Sequence, residues 1–490
     1  MATTDLWTGM SSHDSVTENG AVTHSTSGDE LVNFFFTLGA LRGADTGRIT
    51  NVFSKAFFQD NELALKALFY ARDVRGGQGE RDVFKASLSW LAEHRSELVL
   101  INLDNIVKFG RWSDLLSLMG TSIEAEVISF WAMSIKAKDG LACKWAPREK
   151  STHRKVATLL RKELDMSPKQ YRKWLSAHTS VVETQMCAQD WDEIQFSSVP
   201  SRAMKIYRSA FERNSKTFKP WVDSLVKGEV KVNSKTLYPH EIVRDTCSYS
   251  ITHDQKSLLQ AMWEQLPDYF DGSTRSVLPI IDVSGSMDTP VGGYGSGNST
   301  KCMDVAVGLG MYCAERTRGP FRGKFVTFHS KPTLINIPNT DFYSRVQDVK
   351  RAPWGGTTNF QATFDLILNT AVRNKLSQSD LPDVVLCVSD MEFNVATGSG
   401  YYSQGQRTNF EVIKRKFKRA GYKVPQLVFW NVQSRSDGNV PVKFDDNGVA
   451  LVSGFSPSIM KMILSSDELT PRTLMLDTLN SERYATVRVP

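Results

Sequence analysis

Three polar side chains follow a predicted buried strand in the C-terminal half of the chain. Asp282, Ser284 and Ser286 come directly after the apolar run 277–281. Residues two apart in an extended segment point the same way, so one carboxylate and two hydroxyls converge where the strand ends. Hard oxygen ligands with few charges suit Mg²⁺, whereas zinc prefers His and Cys. These residues therefore predict a site for Mg²⁺ or another divalent cation.

Two further oxygen donors lie downstream at element ends. Thr357, in the run GGTT before an apolar helical pattern, can offer a hydroxyl, and Thr358 is a weaker candidate for the same place. Asp390 ends the apolar run DVVLCVSD, and strand ends of a doubly wound sheet lie at one edge. The predicted metal site is Asp282, Ser284, Ser286, Thr357 and Asp390. The alternative is a metal-free fold in which these residues cap turns.

The surroundings of this site provide no obvious general base or nucleophile. His329 follows the apolar run KFVTF, where a single histidine is more often structural. The insertion Asp288–Thr300 holds four glycines and is predicted to be a mobile loop over the site. No GKT or GKS follows it, which excludes a phosphate-binding loop. We therefore predict a protein that is not an enzyme. A hydrolase or nuclease is the weakest alternative, because two-metal chemistry needs a denser carboxylate cluster.

The segments that must position the metal residues alternate between two patterns. Near-continuous apolar runs predict buried strands, and helical stretches separate them. The strands are VLPIID (277–282), KFVTF (324–328), DVVLCVSD (383–390), QLVFWNV (426–432) and GVALVSG (448–454). The helical stretches are 301–318, 359–373, 407–420 and 457–464. This order predicts a doubly wound parallel sheet of Rossmann type in a domain over residues 276–490.

Residues 29–270 show a helical pattern instead. Apolar residues recur at three- and four-residue spacing in 62–74, 81–95 and 122–138, with Gly and Pro clusters between such segments. Short antiparallel helices of this kind predict an α-helical repeat domain built from stacked helix pairs. A compact helical bundle is the alternative. Residues 1–28, rich in Ser, Thr and Gly, are predicted to be a flexible acidic arm.

Two glycine elbows interrupt the helical pattern. The first, RDVRGGQGER at 72–81, clusters arginines with Asp73 and Glu80. It could contact phosphate, but we favour an Arg–carboxylate network that locks two helices. In the second elbow, at 108–114, Trp112 is expected in the core, Asp114 as a helix cap and Arg111 as a bridge.

Basic residues concentrate in two stretches of the helical half. Residues 144–173 hold ten Lys/Arg against three Asp/Glu, and residues 202–244 hold ten against four. Such stretches suggest a polyanion partner, although a solvated helix face is the alternative. The predicted RNA-contacting residues are Lys144, Arg148, Lys150, His153, Arg154, Lys155, Arg161, Lys162, Arg172, Lys173, Arg202, Lys205 and Arg208. Trp145, Tyr171 and Trp174 are expected in the core rather than as stacking platforms.

The order DxSxS, then Thr, then Asp resembles the metal-ion-dependent adhesion site (MIDAS) of von Willebrand A domains. The resemblance implies that Ser284 and Ser286 bind the metal directly, and that Thr357 does so directly or through water. It implies that Asp282 and Asp390 act mainly through water. It also implies one open coordination position, which a partner's acidic side chain fills in adhesion domains.

The helical half resembles a second family. RDVRGGQGER, FGRWSDLL, KWAPRE and the C-terminal DVSGSM together look like the Ro-type (TROVE) ribonucleoproteins, and a Ro-like branch of them in particular, over about residues 30–490. The resemblance implies HEAT-like helical repeats that form a ring, closed by a von Willebrand A domain. It implies binding of small non-coding RNAs on the outer surface and of single-stranded RNA ends in the hole, without catalysis.

Composition bounds the remaining possibilities. The chain has 490 residues, of which 41% are hydrophobic and 23% charged, as is ordinary for globular proteins. No apolar run is long enough to span a membrane, and no secretion signal is evident at the start. Six scattered cysteines without CxxC spacing argue against a disulfide framework or zinc site and favour the cytoplasm.

The leading functional hypothesis is a non-enzymatic RNA-binding protein that uses its basic helices. The alternative is a protein-interaction or assembly module, in which the metal site captures a carboxylate from a partner or from a second copy. The two hypotheses use different surfaces of the chain and can both hold.

Overall fold

The computed structural model describes residues 15–16, 22–179, 181–247, 251–291, 300–327, 332–352, 360–391, 409–433, 440–466 and 469–490. The chain divides into two compact units. The helical unit comprises residues 45–236 and 480–490, and the sheet unit comprises residues 1–44 and 237–479. Both units therefore combine segments that are far apart in the sequence.

Short helices build the helical unit, in agreement with the spacing of its apolar residues. The three predicted segments are helices at Asn61–Arg72, Arg81–His94 and Glu124–Lys136. The other α-helices here are Thr46–Gln59, Ser96–Leu100, Leu103–Phe109, Gly140–Trp145, Arg154–Glu163, Pro168–Ala177, Val182–Ala188, Ser201–Asn214 and Phe218–Val226. Short 3₁₀ turns lie at Trp112–Leu118, Trp191–Glu193, Phe196–Ser198 and Glu482–Tyr484.

Buried ion pairs hold the first glycine elbow. The Nε atom of Arg72 lies 2.7 Å from Oδ2 of Asp114, and both side chains are buried. Asp73 accepts hydrogen bonds from the Arg483 guanidinium and from the Tyr484 hydroxyl, the latter at 3.1 Å. A buried carboxylate needs such partners to stay charged. The interpretation of this elbow as a locking network is confirmed for Arg72 and Asp73.

A six-stranded sheet organises the sheet unit, in the spatial order β5-β4-β3-β6-β7-β8. Neighbouring strands are parallel except β5, which pairs antiparallel with β4. Every residue of β3, β6 and β8 is buried, so both faces of these strands are covered. The bounds are β3 Val277–Ile281, β4 Lys324–Thr327, β5 Leu334–Asn336, β6 Val384–Ser389, β7 Gln426–Asn431 and β8 Val449–Ser453. A two-stranded ribbon, β1 Ser15–Val16 and β2 Val22–Thr23, precedes them. The predicted α/β architecture is thus present, with one antiparallel strand that was not predicted.

Helices cover this sheet. The described ones are Glu30–Thr37, Pro239–Asp245, His253–Glu264, Cys302–Arg316, Phe342–Lys350, Phe360–Arg373, Asn409–Arg419, Met460–Ser465 and Pro471–Leu479. The predicted segments 301–318, 359–373, 407–420 and 457–464 correspond to four of these, the last preceded by a 3₁₀ turn at Pro457–Ile459. No helix of the described residues combines the length and apolarity needed to cross a bilayer. All six cysteines lie in described segments, where each is a free thiol.

The compact units do not follow the predicted boundaries at residues 28 and 270. The helix Pro239–Asp245 packs against Cys302–Arg316, and Glu30–Thr37 packs against β8, so both belong with the sheet. The change from a helical to a strand-like pattern of apolar residues near residue 271 marks where the strands begin. It does not mark where packing against the sheet begins. The predicted arm is also docked at its end, because the Thr23 hydroxyl donates to the Val440 carbonyl at 2.8 Å.

The helix Cys302–Arg316 approaches its neighbours through glycines. A Cβ atom at Gly308 would lie 2.6 Å from the backbone nitrogen of His240, and one at Gly310 would lie 2.4 Å from the Ile281 side chain. We expect Gly308→Ala to lower the free energy of unfolding by about 1–3 kcal/mol, because the His240 backbone cannot shift away from the new methyl group as a flexible side chain could. Urea unfolding measures this change.

Gly140→Ala is the matched control, since its Cβ would meet no atom closer than 3.4 Å. Alanine also favours helices over glycine, so the control should be neutral or slightly stabilising. Equal stability of Gly308→Ala and wild type would contradict the close packing described here.

Candidate metal centre and basic surface

Adjacent strand ends bring two of the predicted metal residues together. β3 and β6 are parallel neighbours, with Ile281 opposite Val388. The Asp282 N–H donates to the Val388 carbonyl at 3.0 Å, which continues this register one residue beyond β3. Asp282 and Asp390 therefore emerge at the same edge of the sheet, and both are buried.

The Asp282 carboxylate is held at both oxygens. Its Oδ1 accepts a hydrogen bond from the Ser284 backbone N–H at 2.9 Å, and its Oδ2 accepts one from the Ser389 hydroxyl at 2.6 Å. The Ser284 and Ser286 hydroxyl oxygens lie 2.9 Å apart. A carboxylate fixed in this way keeps a set orientation, and the two hydroxyls form a pair of oxygen donors beside it.

Burial and a neighbouring charge raise the pKa of Asp282 to about 6. Loss of water is the main cause, repulsion from Asp390 is the second, and hydrogen bonds from Ser389 and Ser284 oppose both. No basic side chain of the described residues is among the main causes of this shift. A cation at this edge would relieve the repulsion between the two carboxylates.

The described part of the predicted site thus comprises Asp282, Ser284, Ser286 and Asp390. Thr357, with its weaker alternative Thr358, lies outside the described residues, as does His329. No group of three or more His, Cys, Asp or Glu side chains forms a metal cluster among the described residues. Any metal here would therefore depend on serine and threonine oxygens as well as on carboxylates.

The insertion Asp288–Thr300 is described only at its two ends. There the Val291 N–H donates to the Thr300 carbonyl at 2.9 Å, and Lys301 forms an ion pair with Asp288 at 2.7 Å. These contacts join the base of the insertion. The predicted mobility falls on residues 292–299, which lie outside the described residues.

Sequence analysis did not identify Gln433, which follows β7 at the same sheet edge. Its Oε1 accepts hydrogen bonds from the Cys302 thiol at 2.6 Å and from the Thr289 hydroxyl at 3.4 Å. Gln433 therefore connects this edge to the segment that follows the DxSxS motif. A glutamine at the end of a strand carries no spacing signal that would have revealed this contact.

Seven of the predicted RNA-contacting residues form an exposed set that we call the basic surface. Within the described part of the chain, none of them forms an ion pair. The helix Arg154–Glu163 buries Val156, Ala157 and Leu160 and carries its charges on other positions. The basic surface consists of Lys150, His153, Arg154, Lys155, Lys162, Arg172 and Lys173.

Two predicted RNA contacts have structural partners instead. A guanidinium nitrogen of Arg148 donates to the carbonyls of Cys143 and Ala146, at 3.1 and 2.7 Å. Arg161 donates to the Met166 carbonyl at 2.9 Å and is half-buried. These hydrogen bonds give both residues a structural role at backbone carbonyls, and their contact with RNA stays a prediction.

The remaining predicted contacts are less exposed than the basic surface, apart from Arg202. Lys144, Lys205 and Arg208 are half-buried. Among the aromatic residues, Tyr171 is buried as predicted, and its hydroxyl donates to the Pro147 carbonyl at 3.2 Å. Trp174 is half-buried, and its indole N–H donates to the Ile135 carbonyl at 3.1 Å.

Comparison with known proteins shows where the chain belongs. A family model described as domain of unknown function DUF2828 matches residues 17–139 and 161–270, and one described as domain of unknown function DUF7788 matches residues 276–485. Uncharacterized protein L728 of Acanthamoeba polyphaga mimivirus is 30% identical over 518 aligned residues, which cover 95% of this chain and 87% of that protein. The chain belongs to the family of this mimivirus protein. The family relationship covers both compact units, since the alignment spans nearly the whole chain.

A solved structure is also similar to the chain. The crystal structure of Deinococcus radiodurans RO (RSR) protein aligns with 93% of this chain and 99% of that protein, at 13% sequence identity and a TM-score of 0.34. A TM-score of this size does not establish a common fold.

Proposed function

We propose that this protein is a non-enzymatic RNA-binding protein of the Ro type. Its helical unit would contain HEAT-like repeats, and its sheet unit would be a von Willebrand A domain. The basic surface carries the proposal, because its exposed cations lack ion-pair partners within the described residues. Phosphates of RNA would supply the missing counter-charge. The Ro-like phrases of the sequence favour RNA over another polyanion as the partner.

Salt dependence tests this proposal. Six Lys and Arg side chains of the basic surface are available to phosphates. If they neutralise single-stranded RNA, the logarithm of the binding constant should fall with the logarithm of salt concentration at a slope of about −4. Filter binding of the full chain to a short single-stranded RNA and to a small structured RNA measures this slope. Absence of binding at low salt, or a slope near zero, would contradict RNA binding by this surface.

We further propose that the edge of the sheet unit binds Mg²⁺. The buried pair Asp282 and Asp390 and the neighbouring hydroxyls of Ser284 and Ser286 support this proposal. Ser284 and Ser286 would hold the metal directly. Asp282, whose two oxygens already accept hydrogen bonds, would act through water, as would Asp390. Thr357 remains a predicted ligand.

The second candidate function is protein interaction or assembly through this metal. A metal held by serine and threonine oxygens and by water keeps a position that a partner's carboxylate can enter. The partner would be another protein or a second copy of the chain. Self-association that requires Mg²⁺ and is lost in EDTA, measured by sedimentation, favours this function. Association that persists in excess EDTA contradicts it.

A further inference from the structure

Two neighbouring helices of the sheet unit end in a concentration of exposed basic side chains. The helices are Phe360–Arg373 and Asn409–Arg419, which pack against each other. Together with the loops that follow them, 374–383 and 420–425, they hold eight Lys/Arg against four Asp/Glu. None of the predicted RNA contacts lies in these segments. Five of the eight cations are exposed, and we call them the sheet-unit cations: Arg373, Lys375, Lys418, Arg419 and Lys423.

Hydrogen bonds hold the two helix ends side by side. The Tyr422 hydroxyl donates to the Leu376 carbonyl at 2.8 Å. The Lys423 backbone N–H donates to the side-chain oxygen of Gln378 at 2.8 Å, and the Gln378 side-chain nitrogen donates to the Lys423 carbonyl at 3.3 Å. The loop after one helix is therefore joined directly to the loop after the other. The sheet-unit cations form one patch of surface at this junction.

The acids of these segments do not neutralise the sheet-unit cations. Asp365 pairs with Lys416, a half-buried lysine outside the set, at 2.8 Å. Asp380 and Asp383 accept hydrogen bonds from serines, and Glu411 lies in the first turn of its helix, away from the junction. Within the described residues, none of the sheet-unit cations forms an ion pair. Even with the charges of Asp380 and Asp383 counted, the patch stays positive.

Helix dipoles account for only part of this charge. Arg373, Lys418 and Arg419 lie in the last turns of their helices, where the negative end of the dipole favours cations. The effect falls off within the last turn. Lys375 and Lys423 lie beyond the helix ends, so the dipoles do not explain why basic residues occupy these two positions.

The chemistry of this patch favours a phosphate backbone over a membrane or a protein. Membrane-surface helices insert apolar side chains, and protein interfaces centre on packed aromatic anchors. The helix Asn409–Arg419 instead buries Phe410 and Phe417. Among the side chains that the structure describes in these segments, Val372 is the one large apolar group that is exposed. Lys and Arg bind phosphates without such anchors.

We propose that the sheet-unit cations bind the phosphate backbone of RNA. The sheet unit thus adds a second RNA-contacting surface to the basic surface of the helical unit, and this second surface reads charge rather than base sequence. The inference rests on the proposed function, because charge alone does not distinguish RNA from another polyanion.

The triple variant Lys375→Gln, Lys418→Gln and Lys423→Gln tests this surface in the full chain. Glutamine removes each charge at an exposed position, so packing should not change. We expect the affinity for poly(U) RNA to fall about a hundredfold, as three lost phosphate contacts imply. The salt slope should become less steep by about two units, because each phosphate contact with a single strand contributes about 0.7. Filter binding measures both quantities.

The matched control removes three other exposed cations of the sheet unit that form no ion pair within the described residues. Their loss changes the net charge by the same amount, so poly(U) affinity should stay at the wild-type value if position matters. Equal losses in the two variants would overturn the inference, since net charge would then explain both. The control substitutions are Arg318→Gln, Arg351→Gln and Lys461→Gln.

A third variant, Lys150→Gln with Arg154→Gln and Lys155→Gln, separates this inference from the proposed function. If it loses RNA affinity while the Lys375, Lys418 and Lys423 variant keeps it, the sheet-unit surface is overturned and the proposed function stands. The opposite result supports the sheet-unit surface and overturns RNA binding by the basic surface. Normal affinity in both variants overturns both.

Vesicles containing phosphatidylserine test the membrane as the other anionic partner. We expect the wild type to bind poly(U) through the sheet-unit cations and to stay in solution when such vesicles are sedimented. Wild type that sediments with the vesicles, together with a triple variant that stays in solution but keeps its RNA affinity, would identify a membrane surface and overturn the inference.

Discussion

Replacing Lys150, Arg154, Lys155 and Lys162 by glutamate is expected to lower RNA affinity about a thousandfold. All four side chains are exposed and lack ion pairs within the described residues, so the exchange should not disturb packing. Loss of about 1 kcal/mol for each contact, the upper value for exposed ion pairs, gives this factor. Filter binding at fixed salt measures it, and the salt slope should become less steep by about three units.

The control for this variant reverses four exposed charges outside the basic surface. Lys55, Arg95, Lys136 and Lys227 are all exposed, and their replacement by glutamate changes the net charge by the same amount. If net charge alone attracted RNA, both variants would lose affinity equally. RNA affinity that survives only in the control variant would locate binding on the basic surface. Normal RNA affinity of the first variant would show that RNA binds outside the basic surface.

Strand positions were predictable because burial on both faces produces continuous apolar runs. All five predicted strands occur, and each boundary differs by at most one residue. The edge strand β5 was not predicted. It has three residues, of which Leu334 is 45% exposed, so no apolar run distinguishes it from a loop.

The position of the candidate metal residues Asp282, Ser284 and Asp390 at one edge of the sheet was predictable for a similar reason. Three polar residues at alternate positions directly after a buried strand point to the same side and therefore converge at the end of that strand. That Asp390 lies beside them followed from the expectation of neighbouring parallel strands, and β3 and β6 are such neighbours. The hydrogen bond from Ser389 to Asp282 refines this geometry, since it fixes a carboxylate that spacing alone leaves free to rotate.

Contacts between distant segments were not predictable. Asp73 and Arg483 are 410 residues apart, and nothing in the local sequence of either pairs them. Their contact explains why the last residues belong to the helical unit. The guanidinium of Arg111 lies 5.4 Å from the centre of the Trp145 ring, and this contact depends in the same way on how the segment 141–145 folds back. Tertiary packing rather than spacing decides such orientations.

Asp282→Asn is expected to abolish stabilisation of the protein by Mg²⁺. A metal that binds only the folded state stabilises it by about 2.7 kcal/mol at one hundred times its dissociation constant. The wild-type melting temperature should therefore rise by about 5–10 °C in Mg²⁺ over EDTA, at about 2–4 °C per kcal/mol. The variant should not respond, because it lacks the charge that attracts the ion. In Mg²⁺ the wild type should melt at a higher temperature than the variant. In EDTA this order should reverse, because asparagine removes the repulsion between Asp282 and Asp390.

This reversal distinguishes a metal site from a pair of turn caps. If Asp282 only capped the turn through Ser284, its replacement would leave wild type the more stable protein in both EDTA and Mg²⁺. Asp288→Asn is the matched control: it removes an exposed acid six residues further on, paired with Lys301 rather than directed at the sheet edge. That variant should keep the full Mg²⁺ response. Differential scanning calorimetry of the three proteins with and without Mg²⁺ decides the question, and a wild type that melts at one temperature in both solutions rules out the metal.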